Sequence, residues 1–307
     1  MKQTTKRIVW LVAFLGISTI GLCAEPFAKG PYLGQTPPGS TAKVFAPRLI
    51  CHAGTGPLKW EGNGSFSADG NTFCFQRING VFVTENTNQG WTTPERIDSI
   101  PPNVWSPWSP CLSPDANSIF FTISIEHSWI KHYNLYRCNR IATGWTKPQE
   151  VGSPFVYPGR YGGFSIAANN SIYFWRSKRK AGGSGGGTFY APYENNTWTR
   201  VIKLPLGDTP GIAPDESFMV LTAKDLLGGY GHRDLYLTLH LPDGNWSKPR
   251  NLGPRINSAY IEHSPRISPD KKYLFFNRSN CWDPRVYGVV SDIYWVELKE
   301  YLPESYR

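Results

Sequence analysis

The chain has 307 residues and a formal net charge of +9 at pH 7. This positive excess is modest for the length and argues against a nucleic-acid-binding protein, which needs a denser basic face. The six cysteines form no CxxC pair and have no zinc-like spacing, so we expect no metal site and no cofactor.

Residues 1–24 have the features of a secretory signal peptide. Three basic residues precede an apolar run of about 15 residues that ends at Leu22. The run is too short for a membrane span, and no other stretch is a better candidate. The basic residues are Lys2, Lys6 and Arg7, and their removal would lower the formal charge from +9 to +6.

The residue before Cys23 bears on how the chain is exported. A bacterial lipoprotein has a small residue there, whereas this chain has Leu22. We therefore expect a removed signal and no lipid anchor. Residues 25–307 are expected to form a single domain that is periplasmic or secreted and has no membrane span.

The mature chain begins with a lone predicted strand, 42–50, and continues with five copies of a Ser-Pro-Asp-Gly-like turn, each followed by a short apolar strand. The copies start about 50 residues apart, a period that predicts the blades of a β-propeller. They begin at Ser67, Ser113, Ile166, Ala213 and Ser268. In the third copy, Ala168 is expected at the Asp position. Pro, Asp and Gly suit successive turn positions, so we interpret these residues as structural.

Two further patterns complete each blade. An apolar third strand follows, and then a Trp-Thr/Ser-x-Pro phrase that we assign to an edge strand because Pro lacks the ladder donor. Its tryptophans recur with the repeat and are interpreted as blade packing; they are Trp91, Trp145, Trp198 and Trp246. The sequence therefore predicts an all-β, five-bladed propeller of four-stranded blades, closed by strand 42–50 joining the last blade. A six-bladed ring is the alternative and would need a hidden repeat.

The stretch from Asn251 to Asn257, the motif Glu262-His-Ser-Pro-Arg-Ile-Ser-Pro-Asp270 and the strand Ser291–Val296 resemble the TolB-type WD40-like (Pro-Asp repeat) β-propeller family. The resemblance covers nearly the whole mature chain. It implies the propeller fold, whereas relatives include scaffold proteins and propellers fused to peptidases, so it implies no catalytic residue. TolB itself has six blades, so the count predicted here departs from it.

Four loops between second and third strands are long and are expected on one face of the ring, where binding is typical. They contain nine basic and three acidic residues. Arginines and aromatic rings together suit an anionic glycan or an anionic protein surface, whereas the alternative is that basic loops only keep the face solvated. The predicted ligand-binding residues are Trp108, Trp129, Lys131, Arg176, Lys178, Arg179, His232, Arg233, His263, Arg278, Trp282 and Arg285.

These patterns favour an exported, non-catalytic propeller that binds an anionic glycan or an envelope or extracellular protein. One alternative is a glycoside hydrolase or lyase acting on acidic polysaccharide. Its catalytic candidates are Glu61, Asp208 and Glu262, carboxylates from separate blades at the channel mouth, although such acids also serve as ordinary partners of arginines and loop amides. A further alternative is an envelope scaffold protein.

Cysteine positions allow one disulfide hypothesis. Cys51 and Cys281 are expected on the loop face of the last blade, and an exported chain permits a bridge between them. Cys74 and Cys111 lie within predicted strands and are interpreted as buried apolar residues.

Overall fold

The computed structural model describes residues 27–51, 59–100, 108–124, 133–156, 159–178, 186–224, 228–281 and 288–307. In these ranges nearly all regular structure is β-strand, as the short apolar runs predict. The exceptions are a helical turn at Pro31–Gly34 and a 3₁₀ turn at Glu304–Tyr306. The same ranges contain no helix with the length and apolar character of a membrane span.

The five sequence copies, numbered repeats 1 to 5 in chain order, each pair their strands antiparallel and in sequence order. Repeat 1 contains Lys59–Phe66, Thr72–Arg77, Gly80–Thr87 and Glu95–Arg96; repeat 2 contains Trp108–Leu112, Ser118–Ser124, Tyr133–Ile141 and Gln149–Glu150. Repeat 3 contains Gly159–Ile166, Ile172–Lys178, Gly186–Ala191 and Ile202–Lys203; repeat 4 contains Pro210–Ile212, Phe218–Ala223, Asp234–Leu239 and Arg250–Asn251. Repeat 5 contains Ile261–Ile267, Tyr273–Ser279 and Val290–Glu297.

Repeat 5 receives strands from the beginning of the chain. Lys43–Val44 pairs antiparallel with its third strand, and Lys59–Trp60 pairs parallel with the start of that same strand. The N-terminal strand is shorter than predicted, because Ala46 and Arg48 have positive φ and Pro47 between them has no N–H donor. The first strands of successive repeats contact one another in chain order, and that of repeat 5 contacts that of repeat 1.

The fourth strands begin after the Trp-Thr/Ser-x-Pro phrase and not within it. Glu95–Arg96 directly follows Pro94, whereas Gly90–Trp91 forms a two-residue hairpin with the end of the third strand. The corresponding short pairings involve Gly144–Trp145, Tyr193–Glu194 with Thr197–Trp198, and the bridge between His240 and Trp246. Repeats 1, 2 and 4 have Pro at the end of the phrase, which cannot donate to the ladder, and in repeat 3 the pairing likewise resumes only after Val201.

The repeated turns share one backbone conformation. Their fourth residues have φ between 57° and 71°; these residues are Gly70, Ala116, Asn170, Glu216 and Lys271. In repeat 1 the Asp69 carboxylate accepts hydrogen bonds from Ser67 Oγ (2.5 Å) and Asn71 N (3.0 Å). In repeat 3 Asn169 Oδ1 accepts from the backbone N–H two residues later (2.9 Å). Asn169 therefore occupies the Asp position, and the prediction of Ala168 there is wrong by one residue.

Neighbouring repeats share apolar clusters because both faces of their second strands are apolar. In repeat 1, Phe73 and Phe75 pack against repeat 5, whereas Cys74 between them packs against repeat 2. The same alternation places second-strand residues of the other repeats in the clusters on either side. Phe45 and Trp295 complete the cluster between repeats 5 and 1. Among the described residues, every pair of successive repeats thus shares a cluster, and so do the last and the first.

Candidate functional site

The end of the repeats opposite the Ser-Pro-Asp turns is here called the loop end. There Arg233, just before the third strand of repeat 4, forms a parallel bridge with Ile261, and its carbonyl accepts from Glu262 N (3.1 Å). A Cβ on Gly231 would lie 2.2 Å from the Ser258 carbonyl oxygen, so glycine permits this approach. The contact assembles charged side chains of repeats 4 and 5, called the loop-end cluster: Asp208, Arg233, Glu262, His263 and Arg278.

Glu262 is fully buried and is held by two partners. Arg278 Nε donates to Glu262 Oε1 (2.7 Å), and Ser258 donates through its hydroxyl (2.5 Å) and its backbone N–H (3.2 Å). Burial raises the pKa of Glu262, whereas these donors lower it. Arg278 also donates to the Ile256 carbonyl and lies 4.4 Å from the centroid of the Tyr294 ring. Both charges therefore have protein partners.

Asp208 and Arg233 form a second ion pair. Arg233 Nη1 donates to Asp208 Oδ2, and the side chains of Arg233 and Asp208 are 24% and 19% exposed, respectively. Burial lowers the pKa of Arg233. Sequence analysis placed these residues on one face but did not predict that they would be partners.

His263 lies buried beside this ion pair. Its Nδ1 and Nε2 each lie 3.0 Å from a serine hydroxyl, those of Ser264 and Ser279, and its ring stacks at 6.4 Å on Trp60. Burial, with a smaller contribution from Arg233, lowers the pKa of His263 to about 3. A neutral imidazole between two hydroxyls holds strands together and is not a cationic ligand for an anion at neutral pH.

The Glu262–Arg278 arrangement recurs in repeat 1. Glu61 stands opposite Arg77 in the first and second strands, as Glu262 stands opposite Arg278. The spacing is the same 16 residues in both repeats. Burial lowers the pKa of Arg77 and the Glu61 carboxylate opposes that shift. This repeated Glu–Arg spacing is the sequence signal that could have identified each glutamate as the partner of the arginine 16 residues later.

The three predicted catalytic carboxylates therefore lie beside arginines. Glycoside hydrolysis needs carboxyl groups that reach the sugar from both sides of the scissile bond. Glu61 is 4% exposed, Glu262 is fully buried, and Asp208 is bonded to Arg233. Among the described residues, no group of three or more His, Cys, Asp or Glu side chains could hold a metal ion.

Two exposed tyrosines lie two or three residues before members of the loop-end cluster in the sequence. Tyr230 and Tyr260 are 48% and 55% exposed, and they lie on the two backbone segments that meet at Gly231. His232 N donates to the Tyr260 carbonyl (3.3 Å). Tyr230 N donates to the Asp234 carboxylate (2.6 Å), which fixes this segment. We call Tyr230, His232 and Tyr260 the tyrosine platform. Tyr260 was not predicted, because it precedes a first strand and lies outside the long loops.

The other predicted ligand-binding residues that the structure describes belong to repeats 2 and 3. Arg176 occupies the position in repeat 3 that Arg278 has in repeat 5, and its guanidinium lies 4.2 Å from the centroid of the Phe189 ring. Trp108 begins the first strand of repeat 2, and Lys178 ends the second strand of repeat 3. The predicted residues outside the described ranges are Trp129, Lys131, Arg179, Trp282 and Arg285.

The predicted disulfide is not formed in the structure. Cys51 and Cys281 are both free. The buried Cys51 sulfur instead accepts a hydrogen bond from Ile293 N (3.3 Å), at the edge of repeat 5. Cys74 and Cys111 are buried, in agreement with their interpretation as core residues.

Comparisons with known proteins bear on the fold. No protein-family model and no curated protein matches the chain. Among solved structures, 1,3Gal43A, an exo-β-1,3-galactanase from Clostridium thermocellum, is similar with a TM-score of 0.50 and 12% identity, over 83% of this chain and 62% of that one.

Two TolB structures are also similar. A TolB-type protein from Agrobacterium tumefaciens has a TM-score of 0.48 and 15% identity, over 76% of each chain. TolB from Acinetobacter baumannii has a TM-score of 0.47 and 12% identity, over 78% of this chain and 56% of that one. This chain spans 76% and 56% of the two TolB-type chains and 62% of the galactanase. At such identities the likeness concerns the fold alone, and the chain is an all-β protein with a propeller-like arrangement of repeats.

Proposed function

We propose that repeats 1 to 5 form a closed five-bladed ring within one domain, residues 25–307. The apolar cluster shared by the last and first repeats supports this arrangement, as does the pairing of Lys43–Val44 with repeat 5. We also propose export to the periplasm or the medium after removal of residues 1–24, on the basis of the basic and apolar pattern of that segment.

We propose further that the protein is a non-catalytic binding protein for an anionic glycan, which it holds at the tyrosine platform. The exposure of Tyr230 and Tyr260 on adjacent, anchored segments is the observation that supports this function. Exposed aromatic rings on a fixed backbone bind sugar faces at low entropic cost. Anionic ligands are favoured because the four long loops have six more basic than acidic residues. Two of these basic residues, Arg233 and Arg278, pair with acids outside the loops, Asp208 and Glu262.

Binding without hydrolysis is proposed because the glutamates at the loop end are buried beside arginines. A fully buried carboxylate such as Glu262, bonded to Arg278 and Ser258, stabilises the junction of two strands. Removing its charge should therefore lower stability more than it changes any activity.

The experiment is calorimetric titration with polygalacturonate, heparin and an uncharged glucan. We expect binding of one or both anionic polymers, weakening as salt rises, and no binding of the glucan. Tyr230→Ala and Tyr260→Ala should each weaken binding about five- to tenfold, since one stacking contact contributes about 1 kcal/mol.

Ile141→Ala is the matched control, because Ile141 is similarly exposed (46%) on repeat 2. It should leave affinity unchanged. Polysaccharide cleavage by the wild type that Glu262→Gln abolishes would instead establish the hydrolase alternative. Absence of glycan binding, together with a co-purifying envelope protein released by the tyrosine variants, would establish the scaffold alternative.

A further inference from the structure

At the turn end, opposite the tyrosine platform, the first strands enclose a cavity of about 150 Å³ that is lined by all five repeats. Its apolar wall contains Phe66, Leu112, Ile166, Ile212 and Ile267, which occupy the same register position in their strands. Polar side chains occur one residue earlier in the strands: Ser65, Cys111, Ser165 and Arg266. The cavity thus has an apolar base and one ring of polar groups.

Arg266 is the only one of these four side chains that carries a fixed charge, and it is 4% exposed. Its Nη1 donates to the carbonyl of the preceding Pro265 (2.9 Å), whereas its buried Nε and Nη2 have no oxygen or nitrogen acceptor among the described residues. Burial lowers the pKa of Arg266, and the neighbouring Cys111, a weak hydrogen-bond acceptor, and Cys74 oppose that shift. A buried guanidinium without an anionic partner is unfavourable.

The two unpartnered nitrogens form one edge of the guanidinium. That edge donates two parallel hydrogen bonds and matches a carboxylate or an oxyanion. The apolar wall strengthens attraction to an anion, because the local dielectric is low.

Two serine hydroxyls complete the donor set. Ser65 Oγ accepts from Leu112 N (3.3 Å), and Ser165 Oγ accepts from Ile212 N (3.1 Å). A hydroxyl that accepts from the backbone keeps its own proton for donation. Ser65 Oγ also lies 3.7 Å from Cys111 Sγ, a weak acceptor that an anion would replace. Both serines line the same cavity as Arg266.

We propose that this cavity binds one small anion, a carboxylate or an inorganic oxyanion, with Arg266 as its charge partner and Ser65 and Ser165 as hydroxyl donors. The site is separate from the tyrosine platform. Anion binding here and glycan binding there can therefore succeed or fail independently.

The test is thermal unfolding and calorimetry of the full chain at constant ionic strength, with acetate as the carboxylate and nitrate and selenate as inorganic oxyanions. We expect at least one of them to bind with one-to-one stoichiometry and to raise Tm by about 2–4 °C near saturation. Binding of acetate alone would identify a carboxylate site, and binding of nitrate or selenate an oxyanion site.

Arg266→Met should abolish the anion-dependent rise in Tm. Arg200→Met is the matched control, because Arg200 is an exposed arginine paired with Glu194, and it should preserve the rise. An equal effect of every salt, or a rise that persists in Arg266→Met, would overturn the proposal. If Arg266→Met does not fold, wild-type crystals soaked in selenate or acetate decide: electron density for the anion beside Arg266 Nε and Nη2 supports the site, and an empty cavity overturns it.

Discussion

At the scale of single residues, His263 shows how burial changes the pKa of a side chain. Its pKa is lowered to about 3 because the ring is desolvated and Arg233 lies nearby. An unfolded histidine has a pKa near 6.5, so between these two values the unfolded chain binds a proton that the folded chain does not. Acidification through this window therefore favours unfolding.

We expect the contribution of His263 to reduce the free energy of unfolding by about 1.4 kcal/mol for each pH unit below about 6.5, down to about pH 3. His263→Gln keeps a hydrogen-bonding side chain but does not titrate, so it should flatten this slope. Urea unfolding at pH 7, 6 and 5 measures it. His240→Gln, at an exposed histidine stacked on Trp246, is the control and should keep the wild-type slope. Equal slopes for wild type and His263→Gln would contradict the assignment.

At the scale of elements, the repeated turn places one residue in the left-handed region in every copy. Gly70 and Ala116 occupy equivalent positions with φ of 71° and 57°. A side chain at Gly70 would meet nothing within 4 Å, so backbone conformation alone determines the effect of substitution there.

Gly70→Ala should therefore lower the free energy of unfolding by about 1 kcal/mol, and Ala116→Gly should raise it by up to about 1 kcal/mol. Chemical denaturation of both variants measures the difference. Ala68→Gly is the control from the same turn, since Ala68 does not have positive φ; it should not stabilise. Destabilisation by both Gly70→Ala and Ala116→Gly would show that side-chain contacts, and not the backbone, govern this position.

The turns also show how far sequence predicts these elements. Pro-Asp turns followed by apolar strands predict the order and approximate positions of the second and third strands of each repeat. The third copy was misaligned because Asn169 replaces Asp, and an Asn side chain accepts the same backbone hydrogen bond. The sequence predicts the fourth strands within the Trp-Thr/Ser-x-Pro phrase, whereas they begin just after it. A two-residue strand such as Glu95–Arg96 has no recognisable sequence pattern of its own.

At the scale of the whole molecule, the site was less predictable than the repeats. Sequence identified Asp208, Glu262 and Arg233 as loop-end residues, but tertiary contacts decide that Asp208 pairs with Arg233 and that Glu262 pairs with Arg278. Tyr260 lies outside the repeated phrases, and Arg266 lies inside the motif Glu262–Asp270 at a position where the other repeats have a small or uncharged residue. Their exposure and burial depend on how separate repeats meet, which no local pattern contains.

The junction between repeats 5 and 1 yields the last prediction. Phe45 is fully buried and makes edge-to-face contacts with Phe73 of repeat 1 (5.5 Å) and with Phe275 and Trp295 of repeat 5 (5.1 and 5.3 Å). Its backbone N–H donates to the Ile293 carbonyl. One side chain of the N-terminal segment thus packs against both repeats.

Phe45→Ala should lower the free energy of unfolding by about 3–5 kcal/mol, because a large cavity forms between two sheets. If the junction closes a ring, amide exchange should accelerate in both Lys59–Phe66 and Val290–Glu297, since each loses its partner across the gap. Phe120→Ala, in the cluster between repeats 2 and 3, is the matched control, and its exchange changes should centre on those repeats. Acceleration confined to the N-terminal segment after Phe45→Ala would mean that the first and last repeats do not depend on this contact, and closure by the N-terminal strand would be wrong.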